Sequence, residues 1–259
     1  MNKTLNASFF SLATTIITSV LISLPGEAIT FVSSRSSLDS NDQLNWSSLG
    51  QIFNPFAPNP SAFLPNTFSA TSENGLELTV NIPTSSNPEI TPPFIFQTAF
   101  PPNGIPTNFA SGDFLLFSGF IPVPTGPFVP AIGNSGPIEI QFQTPVKAAG
   151  TQFAVDDTFE YTALVSAFDQ NNTLLGSFSI PGTSSLTLDN SAVFLGVSSD
   201  TANIAKLVFN SSEPQRAIAI NQLSFVTANT DIPEPVSTAS FIGFGLLGLG
   251  LKSSQKSQP

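Results

Sequence analysis

The chain contains no histidine and no cysteine. Thiolate nucleophiles, imidazole bases, His-containing zinc sites and Ser-His-Asp relays are therefore excluded before any fold is considered. Oxygen chemistry is what remains. Two carboxylate groupings stand close in sequence, Asp156-Asp157 with Glu160 and Glu73 with Glu77. A glycosidase needs two carboxyls about 5 to 10 Å apart across a sugar. Neighbours on a strand point to opposite faces, so Asp156 and Asp157 share a cleft only if they lie in a loop. Charges ordinarily stay in solvent, and neither grouping is assigned a catalytic role. The run "SLDSNDQLNW" offers Asp39, Asn41 and Asp42 as hard oxygen ligands, with Asn221 of the last apolar run as a fourth. These suit a structural calcium where the first and last strands meet, although the spacing is not that of an EF-hand and a polar turn accounts for the same letters. Beyond that calcium, no cofactor is expected. For sugar binding, the single tryptophan Trp46 and the single tyrosine Tyr161 are the candidate platforms, and the 25 phenylalanines are read as core.

The elements that must position these residues are β-strands. In "GLELTVNI" Leu76, Leu78, Val80 and Ile82 alternate with polar residues, and "PIEIQFQ" repeats the pattern with Ile138, Ile140 and Phe142. Both predict strands with one wet face. "EYTALVSAF" is apolar on both parities and predicts a central strand, followed by a turn at "DQNN" and a return strand "TLLGSFSI", hence a hairpin. "AVFLGVSSD", "IAKLVFN" and "RAIAINQLSFVT" supply three more short β-rich runs, while "FIFQTAF" and "DFLLF" are assigned to packing between sheets. Seventeen prolines fall between Pro55 and Pro145 but only Pro181 and Pro214 between Val146 and Thr230, which predicts a loop-rich first half and a compact second half. The expected fold is all-β: an antiparallel two-sheet sandwich, jelly-roll-like, of about eight to ten strands.

Composition narrows the setting. Only 9% of residues are charged, well below the usual quarter. Between Ile29 and Ile232 stand four basic residues (Arg35, Lys147, Lys206, Arg216) against fifteen acidic ones. Nucleic-acid binding needs clustered Lys and Arg, so no nucleic-acid partner is expected. An acidic body also repels anionic headgroups, which leaves membrane attachment to the chain ends.

Both ends are built for that. Lys3, the apolar run Phe9 to Leu24, the breaker Pro25-Gly26 and the small residues around Gly26-Glu27-Ala28 form the three regions of a secretory signal peptide, with cleavage expected after Ala28. At the far end Pro233-Glu234-Pro235 precedes an uncharged, glycine-studded run from Val236 to Leu251, closed by Lys252 and Lys256. Sixteen helical residues reach about 24 Å against a hydrocarbon core of about 30 Å, a short single transmembrane helix. The two lysines would remain on the cytoplasmic side and stop the chain from sliding through.

This three-part tail resembles the PEP-CTERM sorting signal. The resemblance implies recognition of Pro233, Glu234 and Pro235 by exosortase, a membrane-embedded cysteine protease that processes proteins exported by Gram-negative bacteria, often makers of exopolysaccharide. The family usually ends in an arginine-rich cluster, where this chain has two separated lysines. The body stretches "DQLNWSSLG", "FASGDFLLFSG", "PIEIQF" and "SAVFLGVSSDTANIAKLVF" are similar to a group of exported PEP-CTERM proteins with jelly-roll-like bodies. The expected organisation is a signal peptide over 1–28, a β-sandwich domain over 29–230 and a sorting and anchor segment over 231–259. The expected protein is a non-enzymatic, exported component of the cell surface or extracellular matrix, structural or adhesive. A carbohydrate-binding module for exopolysaccharide is the alternative, and a glycoside hydrolase ranks below it.

Overall fold

The computed structural model describes residues 29–54, 56–122, 132–156 and 160–228. Both terminal segments, with Pro233, Glu234, Pro235, Lys252 and Lys256, lie outside the described residues, as does Asp157. Among the described residues no helix is long and apolar enough to cross a membrane.

The described chain is all-β and antiparallel, with three short 3-10 turns and thirteen strands: β1 (Ile29–Val32), β2 (Asp42–Leu44), β3 (Thr67–Thr71), β4 (Glu77–Asn81), β5 (Phe94–Gln97), β6 (Phe114–Phe117), β7 (Ile138–Val155), β8 (Glu160–Phe168), β9 (Leu174–Thr183), β10 (Val193–Ser199), β11 (Ile204–Ser211), β12 (Ile218–Ile220) and β13 (Leu223–Thr227). The excess over eight to ten strands comes from the first half of the chain, where β2 to β6 are only three to five residues long. The last apolar run also breaks into β12 and β13.

Strand β7 organises everything else. Its first part, Ile138 to Phe142, pairs with β4 on one side and β11 on the other. Its second part, Ala148 to Val155, pairs with β10 on one side and with β13 and β12 on the other. Between them the register with β11 slips, Ile204 facing Val146 while Lys206 faces Gln141. Such irregularities let one strand pass from one layer to another. One layer thus runs β3-β4-β7-β11-β8-β9 and the other carries β1-β10-β7 with β13, β12, β6 and β5. The main core draws on both: Leu78, Ile140, Phe142, Val165, Leu207 and Phe209 meet Phe153, Leu195, Val197, Ile220 and Phe225.

The alternating strands behave as read. Leu78 and Val80 of β4, and Ile138, Ile140 and Phe142 of β7, are buried. β8 sits between β11 and β9, and β8 and β9 form the expected hairpin. Asp169 closes its turn by accepting from the N–H groups of Asn171 and Thr173 at 2.8 and 2.7 Å. Asn172 takes the left-handed conformation there, at φ 61°, which Asn tolerates better than most residues.

The phenylalanine-rich runs are a correction. Only alternate residues of β5 and β6 enter the main core, Ile95 and Leu116 among them. Phe94, Phe96, Leu115 and Phe117 point the other way, into a second cluster with Phe53 and Phe109. Phe94 packs in tilted geometry at ring-centre distances of 4.4 Å from Phe53 and 5.2 Å from Phe117. Ala154, Ala192, Ala217 and Ala219 floor this cluster and leave room for the rings. A sheet buried on both faces needs apolar residues at both parities, which is why "FIF" and "FLLF" lack alternation.

Candidate functional site

β12 and β13 would be one strand but for Asn221 and Gln222. Ile220 pairs with Phe153 and Ser224 with Gly150, so three residues of this strand face two of β7. A bulge of this kind strands backbone groups that must find other partners. The side chain of Asn221 re-enters the ladder, its Oδ1 accepting from the Gln152 N–H at 3.1 Å. The Asn221 carbonyl accepts from Trp46 Nε1 at 2.6 Å and Thr151 Oγ1 at 2.9 Å. Arg35, from the turn after β1, donates to the Gln222 carbonyl at 2.9 Å, to Asn221 Oδ1 at 2.8 Å and to the Ser224 hydroxyl.

The network continues outward. Asn221 Nδ2 donates to Asp113 Oδ2 at 2.9 Å and to Gln152 Oε1 at 2.7 Å, and Gln152 Nε2 donates to Asn190 Oδ1 at 2.8 Å. Arg35 also lies over the Phe194 ring, 5.4 Å from its centre. That ring occupies space left by the facing glycines Gly150 and Gly196, since a Cβ on Gly150 would come within 2.7 Å of it. Burial pushes the Arg35 guanidinium below its usual range, and the nearby charge of Asp113 pulls it back up. The buried Asn221 amide joins cation and carboxylate, so both charges are held by fixed dipoles.

The candidate calcium ligands do not form one cradle. β2 pairs with β13 through Asp42 opposite Phe225 and Leu44 opposite Leu223, which puts Asn221 beyond the far end of that ladder, beside Trp46. With Arg35 2.8 Å from its oxygen, Asn221 faces a cation already, and a second cation there would be repelled. The Asp42 carboxylate is buried and accepts from Gln43 N, Ser72 Oγ and Asn74 N. Asn41 binds the end of β13 by accepting from Thr227 N at 2.9 Å, and Asp39 is an exposed turn residue at φ 52°. No group of three acidic side chains placed to hold a metal ion occurs among the described residues.

The sugar platforms are likewise corrected. Trp46 is fully buried, and Tyr161 is buried with its hydroxyl donating to the Phe153 carbonyl at 3.0 Å. Neither offers a face to a ligand. Of the carboxylate groupings, Glu73 accepts from Gln43 Nε2 at 2.9 Å, and Glu77 and Glu160 are exposed strand ends.

A cavity of about 360 Å³ opens elsewhere, between the loops 83–90 and 132–136 and Gln215. Its lining is neutral, with Thr84, Ser85, Ser86, Asn87 and Ser135 among the polar groups and Pro83, Ile90 and Ile132 among the apolar ones.

Sequence reasoning missed Arg35 and Asp113. A signal existed for the first: Arg35 is the only basic residue between Ile29 and Val146, and a lone cation flanked by serines needs a partner supplied by the fold. Trp46 and Asp113 come from "DQLNWSSLG" and "FASGDFLLFSG", so two distant body stretches meet at one bulge.

No family model matches the chain, and no curated protein does. Among solved structures it is similar to a DUF4465 family protein from Bacteroides caccae, with 13% identity and a TM-score of 0.34 over 77% of this chain and 100% of that one. It is also similar to the enzymatically active domain of tailspike protein 4 of bacteriophage CBA120, with 16% identity and a TM-score of 0.30 over 57% of this chain and 19% of that one. At these identities and scores neither likeness bears on function.

Proposed function

We propose that this is an exported surface or matrix protein of a Gram-negative bacterium, whose jelly-roll-like sandwich is delivered by an N-terminal signal peptide and sorted through its C-terminal tail by an exosortase-type protease. The observation that carries the reading is the tail itself, Pro-Glu-Pro at 233–235, an uncharged glycine-rich run and two lysines. The two prolines hold the glutamate extended at the membrane face, the apolar run seats the chain in the bilayer, and the lysines anchor it. The C-terminal limit of the body supports the same reading, since β13 closes at Thr227, shortly before the proline-rich junction. The role is structural or adhesive. Replacing Glu234 by Ala in the native host is expected to leave the tail uncut, so the mutant chain is heavier by the tail; equal processing of both chains would remove the exosortase assignment.

A second reading, a carbohydrate-binding module, is favoured by the neutral hydroxyl- and amide-lined cavity around Asn87 and Ser135. Sugars are bound through such groups, and an uncharged lining matches an uncharged glycan. Titration with neutral oligosaccharides from the host's own exopolysaccharide is expected to saturate; no binding at millimolar glycan would leave the structural role alone.

A further inference from the structure

Sheet edges are where unpaired backbone groups accumulate, and this fold treats its edges unequally. The edge of β5 is covered by loops, Phe53 N donating to the Ile95 carbonyl and Leu64 N to the Pro93 carbonyl, each at 2.7 Å. β2 is covered by Glu73 N, which donates to the Gln43 carbonyl at 2.9 Å. β1 and β3 are four and five residues long. β9 is ten residues long and pairs only with β8 among the described strands.

The direction of its backbone groups follows from the neighbouring pair. Thr162 of β8 donates to the Ser212 hydroxyl and its carbonyl accepts from Ser212 N, so its backbone faces β11. Because direction alternates along antiparallel strands, the residues opposite Thr162, Leu164 and Ser166 turn away from β8. Those residues are Pro181, Ser179 and Ser177. The free edge therefore presents the N–H and C=O of Ser177 and Ser179 and is ended by Pro181, which has no N–H to give.

The chemistry along this edge is as unusual as its length. From Gln170 to Leu188 no residue is charged, in a chain of net charge −10. Exposed edges are ordinarily protected by charge, lysine above all. Here Leu174 is 54% exposed and Leu164 and Leu186 are also exposed, while Phe178 and Ile180 pack inward against the main core. A basic partner has nothing to pair with on this strip. A second copy of the same chain meets acidic repulsion over much of the body but none along β9, and an antiparallel edge turned about a twofold axis always complements itself.

We propose that β9 is a self-association edge, at which two copies pair β9 against β9, antiparallel and centred near Ser177, so that the sheet runs from one protomer into the other. This rests on the fold alone and is independent of the sorting reading. Pro181 limits the shared ladder to the stretch before it, which fixes the register.

The absence of cysteine makes the test clean. In the full chain, Ser177→Cys places two sulfurs across the axis, where paired Cα atoms lie about 5.5 Å apart, within disulfide reach. Mild oxidation is expected to convert Ser177→Cys into a covalent dimer, while Ser69→Cys on the exposed edge strand β3 stays monomeric. Ser179→Lys, which sets like charges near the axis without removing a buried contact, is expected to weaken the dimer about tenfold or more. Sedimentation of the unmodified detergent-solubilised chain as a monomer at all concentrations would overturn the proposal. So would a dimer that traps Ser69→Cys as readily as Ser177→Cys, or one that Ser179→Lys leaves intact.

Discussion

Asn221 shows how one side chain can close a defect that a fold requires. Its amide accepts from Arg35 and Gln152 and donates to Asp113 and Gln152, while its carbonyl receives Trp46 and Thr151. Replacing it by Ala leaves the backbone bonds of Trp46 and Thr151 in place but strips Arg35 and Asp113 of their shared partner. Losing bonds to charged groups costs about 1.5 to 3 kcal/mol each, so Asn221→Ala is expected to lower unfolding stability by about 3 kcal/mol. Urea unfolding followed by Trp46, the single tryptophan, measures it; a change below about 1 kcal/mol would mean that water replaces the amide and the hub is not a stabilising centre. The letters around Asn221 gave no hint of this role. A bulge is a property of two strands in register, and its partners Arg35 and Asp113 are 186 and 108 residues away.

At the scale of strands, period-2 patterns in "GLELTVNI" and "PIEIQFQ" were legible because one face of each strand is wet. The apolar runs of β5 and β6 were legible as strands but not by face, since both sides are dry and no alternation marks the difference. Tyr161 illustrates a cross-strand device of the same kind. It pairs with Gly182 of β9 and covers it, a Cβ there falling 2.7 Å from the ring. Such cover compensates a glycine in a strand. Burial raises the pKa of its phenol well above the usual value, a hydrogen bond with Ser184 acting weakly in the other direction. The sign follows: the unfolded phenol ionises near pH 10 and the folded one does not, so the native state holds the proton longer. This stabilising effect is complete below pH 10 and is lost as pH rises above it, at up to about 1.4 kcal/mol per unit. Since Tyr161 is the single tyrosine, phenolate absorbance is expected to appear together with unfolding above pH 10. Ionisation near pH 10 in a chain that remains folded would contradict the buried placement.

For the whole molecule, fold class was readable from strand length, turn residues and the scarcity of charge. The joining of two layers through β7 was not, because only the first part of this 18-residue strand, in "PIEIQFQ", alternates, while Ala148 to Val155 is buried at nearly every position and carries no period-2 pattern. The separation of the four candidate calcium ligands was hidden for a related reason: Asp42 lies on β2, and Asn221 lies in the bulge before β13, beyond the far end of their pairing. The proposed role is carried by the sequence of residues 1–28 and 231–259, where the chemistry invoked is that of bilayer length and charge placement. Among the described strands β9 is the longest that pairs on one side only, and it carries no charge.

The measurement that bears most directly on this account is the intact mass and location of the chain recovered from its own cells. Material outside the cytoplasm that begins at Ile29 and lacks the residues beyond the Pro-Glu-Pro junction is the expected result. A full-length cytosolic chain, running from Met1 to Pro259, would contradict it.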